Sequence, residues 1–180
     1  MRVHTRKIAL IGGGQIGSAL ALLISQKDHA EVVIIDLPQA IDSIKGKALD
    51  IMAMRPHAGV DVPITASSDY SDIAGAEVVI ITAGVPRKAG MTRNDLLDIN
   101  LGVIKSVSKE VAKHAPNAFV VLSTNPVDTM CQAFHKYSGM DKSQIIGLSG
   151  ALDSGRFRLF IAMKTGISAK DVSCMVMGGH

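Results

Sequence analysis

Three groups of residues have the types and spacing to do chemistry. The first is Gly12-x-Gly14-x-x-Gly17, entered directly from Ile8-Ala9-Leu10-Ile11. Glycine at 12 permits a turn too tight for a Cβ, glycine at 14 leaves room for an anion to approach the main chain, and glycine at 17 lets a following helix pack on the preceding strand. The unpaired amides of that helix's first turn carry partial positive charge, so a pyrophosphate can be bound there without a basic side chain. The second group is the loop Gly84 to Arg93, which sets Arg87 and Arg93 six residues apart with Gly84 and Gly90 as possible hinges. Asp153, Arg156 and His180 form the third, the histidine following Gly178-Gly179.

Each group also has an ordinary reading. Glycine-rich turns are common, basic loops are usually solvated surface, and an Asp–Arg pair three apart on a helix is by default an intrahelical ion pair worth a few tenths of a kcal/mol. A histidine after two glycines is more often a surface or core residue than a catalyst, as we take His4, His29, His57, His114 and His135 to be. The glycine pattern gains weight from its surroundings. Ile16 to Ile24 continues as an apolar stretch, and Glu31 to Ile35 is a second strand-like run ending at Asp36. An acidic residue about 20 positions after the glycines, at the carboxyl end of the next strand, is where a ribose 2′-hydroxyl is bound. Asp36 therefore favours NAD over NADP, whose 2′-phosphate would meet a negative charge. Its ordinary alternative is a turn opening before Pro38.

The elements that must hold these residues are those of an α/β chain. Gln39 to Met54 places Ile41, Ile44, Ala48 and Ile51 at helical spacing, and Pro56 is expected to end that helix. A short strand is expected near Pro63 to Ala66, and Glu77 to Thr82 is a buried, β-branched one. Thr92 to Ala115 reads as a long helix opened by a Thr92-x-x-Asp95 cap. Ala118 to Ser123 is a strand leading through Thr124-Asn125-Pro126 to a helix from Val127 to Ser138, and a sixth strand lies around Ile145 to Leu148. Alternating strands and helices imply a doubly wound parallel sheet, with ligand at the carboxyl ends of its strands. Beyond Gly150, Ala151 to Thr165 reads as a helix and Val172 to Met177 as a strand of a second domain, giving boundaries of 1–149 and 150–180.

Composition narrows the function classes. A 180-residue chain with 47% hydrophobic residues can bury a sizeable core. A net charge of +3 without a Lys/Arg run argues against nucleic acid or an anionic membrane as partner. Cys131 and Cys174 are far apart and outside any C-x-x-C spacing, so neither a disulfide framework nor a metal site is expected, and a reduced, cytoplasmic protein is the simplest reading. Arg2, Arg6 and Lys7 before an apolar stretch imitate a secretory signal, but Gly12-Gly13-Gly14-Gln15 splits the stretch and no small-residue cleavage site follows. No apolar run reaches the roughly 18 residues that span a bilayer.

Taken together, Gly12-x-Gly14-x-x-Gly17, Asp36, Ala83 to Arg93, Thr124-Asn125-Pro126, Leu152-Asp153-Ser154-Gly155-Arg156-Phe157 and Gly178-Gly179-His180 resemble the lactate/malate dehydrogenase family in chain order and spacing. The resemblance covers the whole chain. It is nearest to the malate dehydrogenases of the lactate-dehydrogenase-like branch, because Arg87 stands where lactate enzymes carry glutamine. It implies a Rossmann domain followed by the start of an α+β substrate domain, with NAD as cofactor and a small dicarboxylate, malate or oxaloacetate, as substrate. Implied cofactor contacts are Gly12, Gly14, Gln15, Ile16, Gly17, Asp36, Thr82, Ala83, Gly84, Asn100, Thr124 and Asn125.

By the same resemblance, His180 is the base that takes the hydroxyl proton and Asp153 the carboxylate that fixes its tautomer. Arg156 grips the substrate's C1 carboxylate, Arg93 polarises the carbonyl from a closing loop, and Arg87 binds the distal carboxylate. Asn125 hydrogen-bonds the substrate oxygen and helps orient the nicotinamide, and a cis Pro126 is compatible with the motif. Ala89 and Gly155 stand where relatives often have proline and alanine. Family members continue well past the histidine, so the expectation is a piece of a longer homodimeric or homotetrameric enzyme, weakly active at best alone. A lactate dehydrogenase, a non-catalytic NAD-binding module and a purely structural α/β domain are the competing readings.

Overall fold

Apolar runs, most of them rich in β-branched residues, set the strands, and the structure, a computed structural model, describes residues 6–86 and 90–180, with the Arg93 side chain outside that description. The strands are β1 (Lys7–Ile11), β2 (Glu31–Ile35), β3 (Ile64–Ser67), β4 (Val78–Ile81), β5 (Phe119–Leu122) and β6 (Ile145–Gly147). Every pairing is parallel and the spatial order is β3-β2-β1-β4-β5-β6. This is the doubly wound dinucleotide order, and the switch point falls between β1 and β4. The register sets Ile11 beside both Ile35 and Ile81, so the residues that follow, Gly12, Asp36 and Thr82, emerge along one edge.

Strand periodicity divides the core between two faces. Ala9, Ile11, Val33, Ile35, Val79, Ile81, Val120 and Leu122 face α4 (Arg93–His114) and α5 (Val127–Ser138), which contribute Ile104, Val107, Val111, Met130 and Phe134. Leu10, Val32, Ile34 and Ile64 face α1 (Gln15–Ser25) and α2 (Ile41–Ala53), which contribute Ala21, Ile44 and Ala48. Leu10, Ile34, Ile104 and Phe134 have no exposed surface, and full burial of such a side chain contributes about 1.5–3 kcal/mol.

One sequence expectation needs correction and one a refinement. The helix expected to end at Pro56 does end before it, α2 stopping at Ala53, and Pro56 then sits in the first turn of a short further helix, α3 (Arg55–Ala58), where a missing N–H costs nothing because first-turn amides have no intrahelical partner. Val172 to Met177 forms no strand. After α6 (Gly150–Thr165) this segment finds no ladder partner among the described residues, and the Val176 amide instead donates to Ser154 Oγ at 2.9 Å.

Candidate active site

The glycine turn is built around close approach. Gly12 has φ +105°, and a Cβ on it would lie 2.8 Å from the Ala83 amide nitrogen. A Cβ on Gly17 would collide with the Gly12 carbonyl oxygen, so α1 packs this close to β1 only with glycine there. Gly14 differs, because a Cβ there meets no protein atom within 4 Å. The space that Gly14 leaves opens onto two cavities, both of which it lines. Thr82 secures the turn from β4, its hydroxyl donating to the Gly12 carbonyl at 2.9 Å.

One cavity, of about 530 Å³, lies on the β2 side and is lined by Asp36, Leu37, Tyr70, Val85, Val103 and Val107, among others. Asp36 is fixed at its mouth: Oδ2 accepts the Gly13 amide at 2.6 Å and Oδ1 the Leu37 amide at 2.7 Å. Each oxygen keeps a lone pair for a ribose hydroxyl. Burial, with the charges of Glu110 and Asp36, pushes the Tyr70 phenol up to about 12, so the phenol stays protonated and can donate a hydrogen bond near pH 7. The other cavity, of about 680 Å³, lies on the β5 side and is lined by Gln15, Ile16, Pro86, Leu96, Asn100, Thr124 and Asn125 together with Gly14, Thr82 and Gly84. Two slots joined at a glycine turn fit the two halves of a dinucleotide, with the α1 amides between them.

Asn100 and Thr124 are both buried and their polar atoms are taken up by main chain. The Asn100 amide group donates to the Asn125 carbonyl at 2.7 Å and its oxygen accepts the Val85 amide at 2.9 Å. The Thr124 hydroxyl donates to the Ala83 carbonyl at 2.7 Å. Both residues therefore shape the loops after β4 and β5. The Asn125–Pro126 peptide bond is cis.

The third group converges across 27 residues of chain: His180 Nδ1 lies 2.6 Å from Asp153 Oδ2. Arg156 donates to the other oxygen, Oδ1, at 3.3 Å, so the sequence-level pair on α6 exists and also reaches the histidine. Arg87 lies outside the described residues, and of Arg93 only the backbone is described, at the first position of α4.

Sequence reasoning missed four contributors. Gly13 is buried against Ile44, Lys47 Nζ donates to the Gly13 carbonyl at 3.2 Å, and Tyr70 lines the β2-side cavity. Asp128, in the first turn of α5, accepts the His180 main-chain amide at 3.0 Å. For Asp128 a signal was present: an acid three residues beyond Asn125, where a helix begins.

The parallel order, the switch-point turn and the carboxylate closing β2 define a dinucleotide-binding domain. Residues 6–147 match the lactate/malate dehydrogenase NAD binding domain, and the chain belongs to that family. It is 46% identical over all 180 residues to a malate dehydrogenase of Halalkalibacterium halodurans, covering 57% of that enzyme. A lactate dehydrogenase of Cryptosporidium parvum, solved with lactic acid and β-nicotinamide adenine dinucleotide, superposes with TM-score 0.92 at 43% identity, over 99% of this chain and 56% of that one. The malate dehydrogenase of Cryptosporidium parvum superposes with TM-score 0.91 at 44% identity, over 100% of this chain and 56% of that one. The chain thus spans a little over half the length of these relatives. Among the described residues no helix is long and apolar enough to cross a membrane.

Proposed function

We propose that this chain supplies the cofactor domain and the acid–base pair of an NAD-dependent malate dehydrogenase, interconverting (S)-malate and oxaloacetate. Residues 1–149 are the cofactor domain in this reading and 150–180 the opening of the substrate domain. The observation that carries it is the 2.6 Å contact between His180 and Asp153, with Arg156 on the same carboxylate. An ionised carboxylate only accepts, so the contact supports a proton on Nδ1 and a free lone pair on Nε2. That lone pair takes the substrate's hydroxyl proton, and Asp153 stabilises the imidazolium that results. NAD, when bound, accepts the hydride from the same carbon. Asp153 occupies one donor of Arg156, whose side chain is more than half exposed, and its remaining donors grip the substrate's C1 carboxylate. Arg93 polarises the carbonyl.

Malate rather than lactate rests on Arg87 and on the malate dehydrogenases among the relatives. The lactate reading has the likeness to the Cryptosporidium parvum lactate dehydrogenase in its favour. A comparison of oxaloacetate and pyruvate reduction decides between them. Oxaloacetate is expected to be preferred, and Arg87→Gln to erode that preference by orders of magnitude, because glutamine removes the charge that pairs with the distal carboxylate. Better pyruvate reduction, or a preference indifferent to Arg87→Gln, would refute the malate reading. Calorimetric NAD binding without any turnover would instead favour a non-catalytic module. Two free cysteines, Cys131 and Cys174, support a reducing, cytoplasmic setting, and we take the whole enzyme to be a homodimer or homotetramer.

A further inference from the structure

The imidazole of His180 is held by Asp153, but both Asp153 and the contacts of the preceding segment belong to α6. The Val176 amide and the Cys174 thiol both bond to Ser154, also on α6. Such contacts fix the tail to its own helix and leave open how that helix and tail are set against the sheet. The bond from the His180 amide to Asp128 Oδ2, at 3.0 Å and across 52 residues, runs to α5 instead. Asp128 stands three residues after Asn125, whose carbonyl is tied to the buried Asn100 and which lines the β5-side cavity. A Cβ added to Gly179 would sit 3.5 Å from the same Asp128 oxygen, so the carboxylate lies directly against the glycine pair before the histidine.

We propose that Asp128 is a positioning residue for the acid–base histidine, joining the main chain of His180 to the cavity wall formed by Asn125. The inference rests on the proposed role of His180. Two carboxylates divide the work: Asp153 sets the tautomer and ring orientation, and Asp128 sets where the ring's backbone stands over the β5-side cavity. A hydrogen bond from an amide to an ionised acceptor is the stronger kind, and a base displaced by an ångström loses much of its effectiveness. Asp128 touches neither substrate nor cofactor in this scheme, so its loss should lower kcat and leave KM for NAD alone.

The test compares wild type, Asp128→Ala and Asp128→Asn in the 180-residue chain, with backbone amide and imidazole NMR of His180, NAD titration and Tm. In Asp128→Ala the His180 amide is expected to move upfield and exchange about tenfold faster or more, and the ring resonances to shift, with NAD affinity unchanged. Asp128→Asn keeps an acceptor oxygen and should restore part of both effects. Where malate turnover is measured, kcat of Asp128→Ala should fall about tenfold. His180 resonances that stay in place in Asp128→Ala, with or without a lower Tm, would overturn the proposal and leave Asp128 as a charge at a helix N-terminus. Absence of saturable NAD binding in wild type would count against the proposed function, while the His180 amide would still decide the role of Asp128.

Discussion

Residues 6–147 and residues 150–180 solve the burial problem in opposite ways. In the first region apolar side chains turn inward from both faces of the sheet, and Phe134, Leu10 and Ile81 have no exposed surface. In the second, α6 and its tail bury Ala162 and Val172, while Phe157, Phe160, Met163, Met175 and Met177 are 50% to 84% exposed. The cofactor turn therefore sits in a frame that closes over its own core. The histidine sits at the end of a segment held mainly by hydrogen bonds: Ser154 to Val176, Asp153 to the ring and Asp128 to the backbone. Packing holds the cofactor turn, and directed polar contacts hold the proposed acid–base pair.

The sharpest way to break this contrast is at its two ends. His180→Gln should lower malate turnover by about 10²–10⁴-fold while NAD affinity, read by titration, stays at the wild-type value. A parallel fall in affinity would mean that the two regions are not separable. In the core, Phe134→Ala should cost about 3–5 kcal/mol in urea unfolding, whereas Phe160→Ser on α6 should stay within about 0.5 kcal/mol. Comparable losses at both would show that α6 is as well packed as the sheet. Gly14→Val isolates the binding function. Its backbone, at φ −64°, suits any residue, and a Cβ there meets no protein atom within 4 Å. NAD affinity should fall about tenfold or more, roughly 1.4 kcal/mol, with Tm unchanged.

The smallest effect concerns the entrance to α4. Thr92 and Asp95 form a reciprocal capping box, with Asp95 accepting the Thr92 amide at 2.9 Å and Thr92 accepting the Asp95 amide at 3.1 Å. Hydrogen bonds from the Thr92 side chain and backbone hold the Asp95 carboxyl below the usual range. A depressed carboxyl stabilises the fold above the ordinary aspartate value, and that stabilisation is lost as pH falls below about 4. Thr92→Ala should lower Tm by about 2–4 °C at pH 7, and the difference from wild type should shrink in acid.

Much of the fold was legible because strong local signals agreed with the tertiary outcome. Glu31 to Ile35 and Val127 to Ser138 were delimited to the residue, the one by an uninterrupted β-branched run, the other by apolar periodicity between Pro126 and Gly139. The doubly wound order followed from alternation of elements, and the capping box from its Thr-x-x-Asp spacing. Val172 to Met177 misled for a physical reason: alternating apolar residues favour extension, but a strand also needs a neighbour, and here Ser154 takes the Val176 amide instead. In the site, residues acting through their own position in a motif were visible, as with Asp36 and Asp153. Lys47 was not, because it acts on the main chain of a residue 34 positions away, and for Asp128 only its place at a helix start was readable, not its contact with a residue 52 positions on. No spacing rule reports a contact between a side chain and distant backbone.

The bond between the Gly13 amide and Asp36 bears on how this domain can change over evolutionary time or in the hands of an engineer. Gly13 is buried, and its N–H has the Asp36 carboxylate as acceptor at 2.6 Å. Swapping Asp36 for alanine to admit a 2′-phosphate would also strand that donor inside the turn, at a cost of about 1–3 kcal/mol. With Asp36 in its proposed place at the ribose, nucleotide choice and turn integrity fall to one side chain. A route to the phosphorylated cofactor must pass through residues that still accept a hydrogen bond, such as serine or asparagine, before charge can be altered freely.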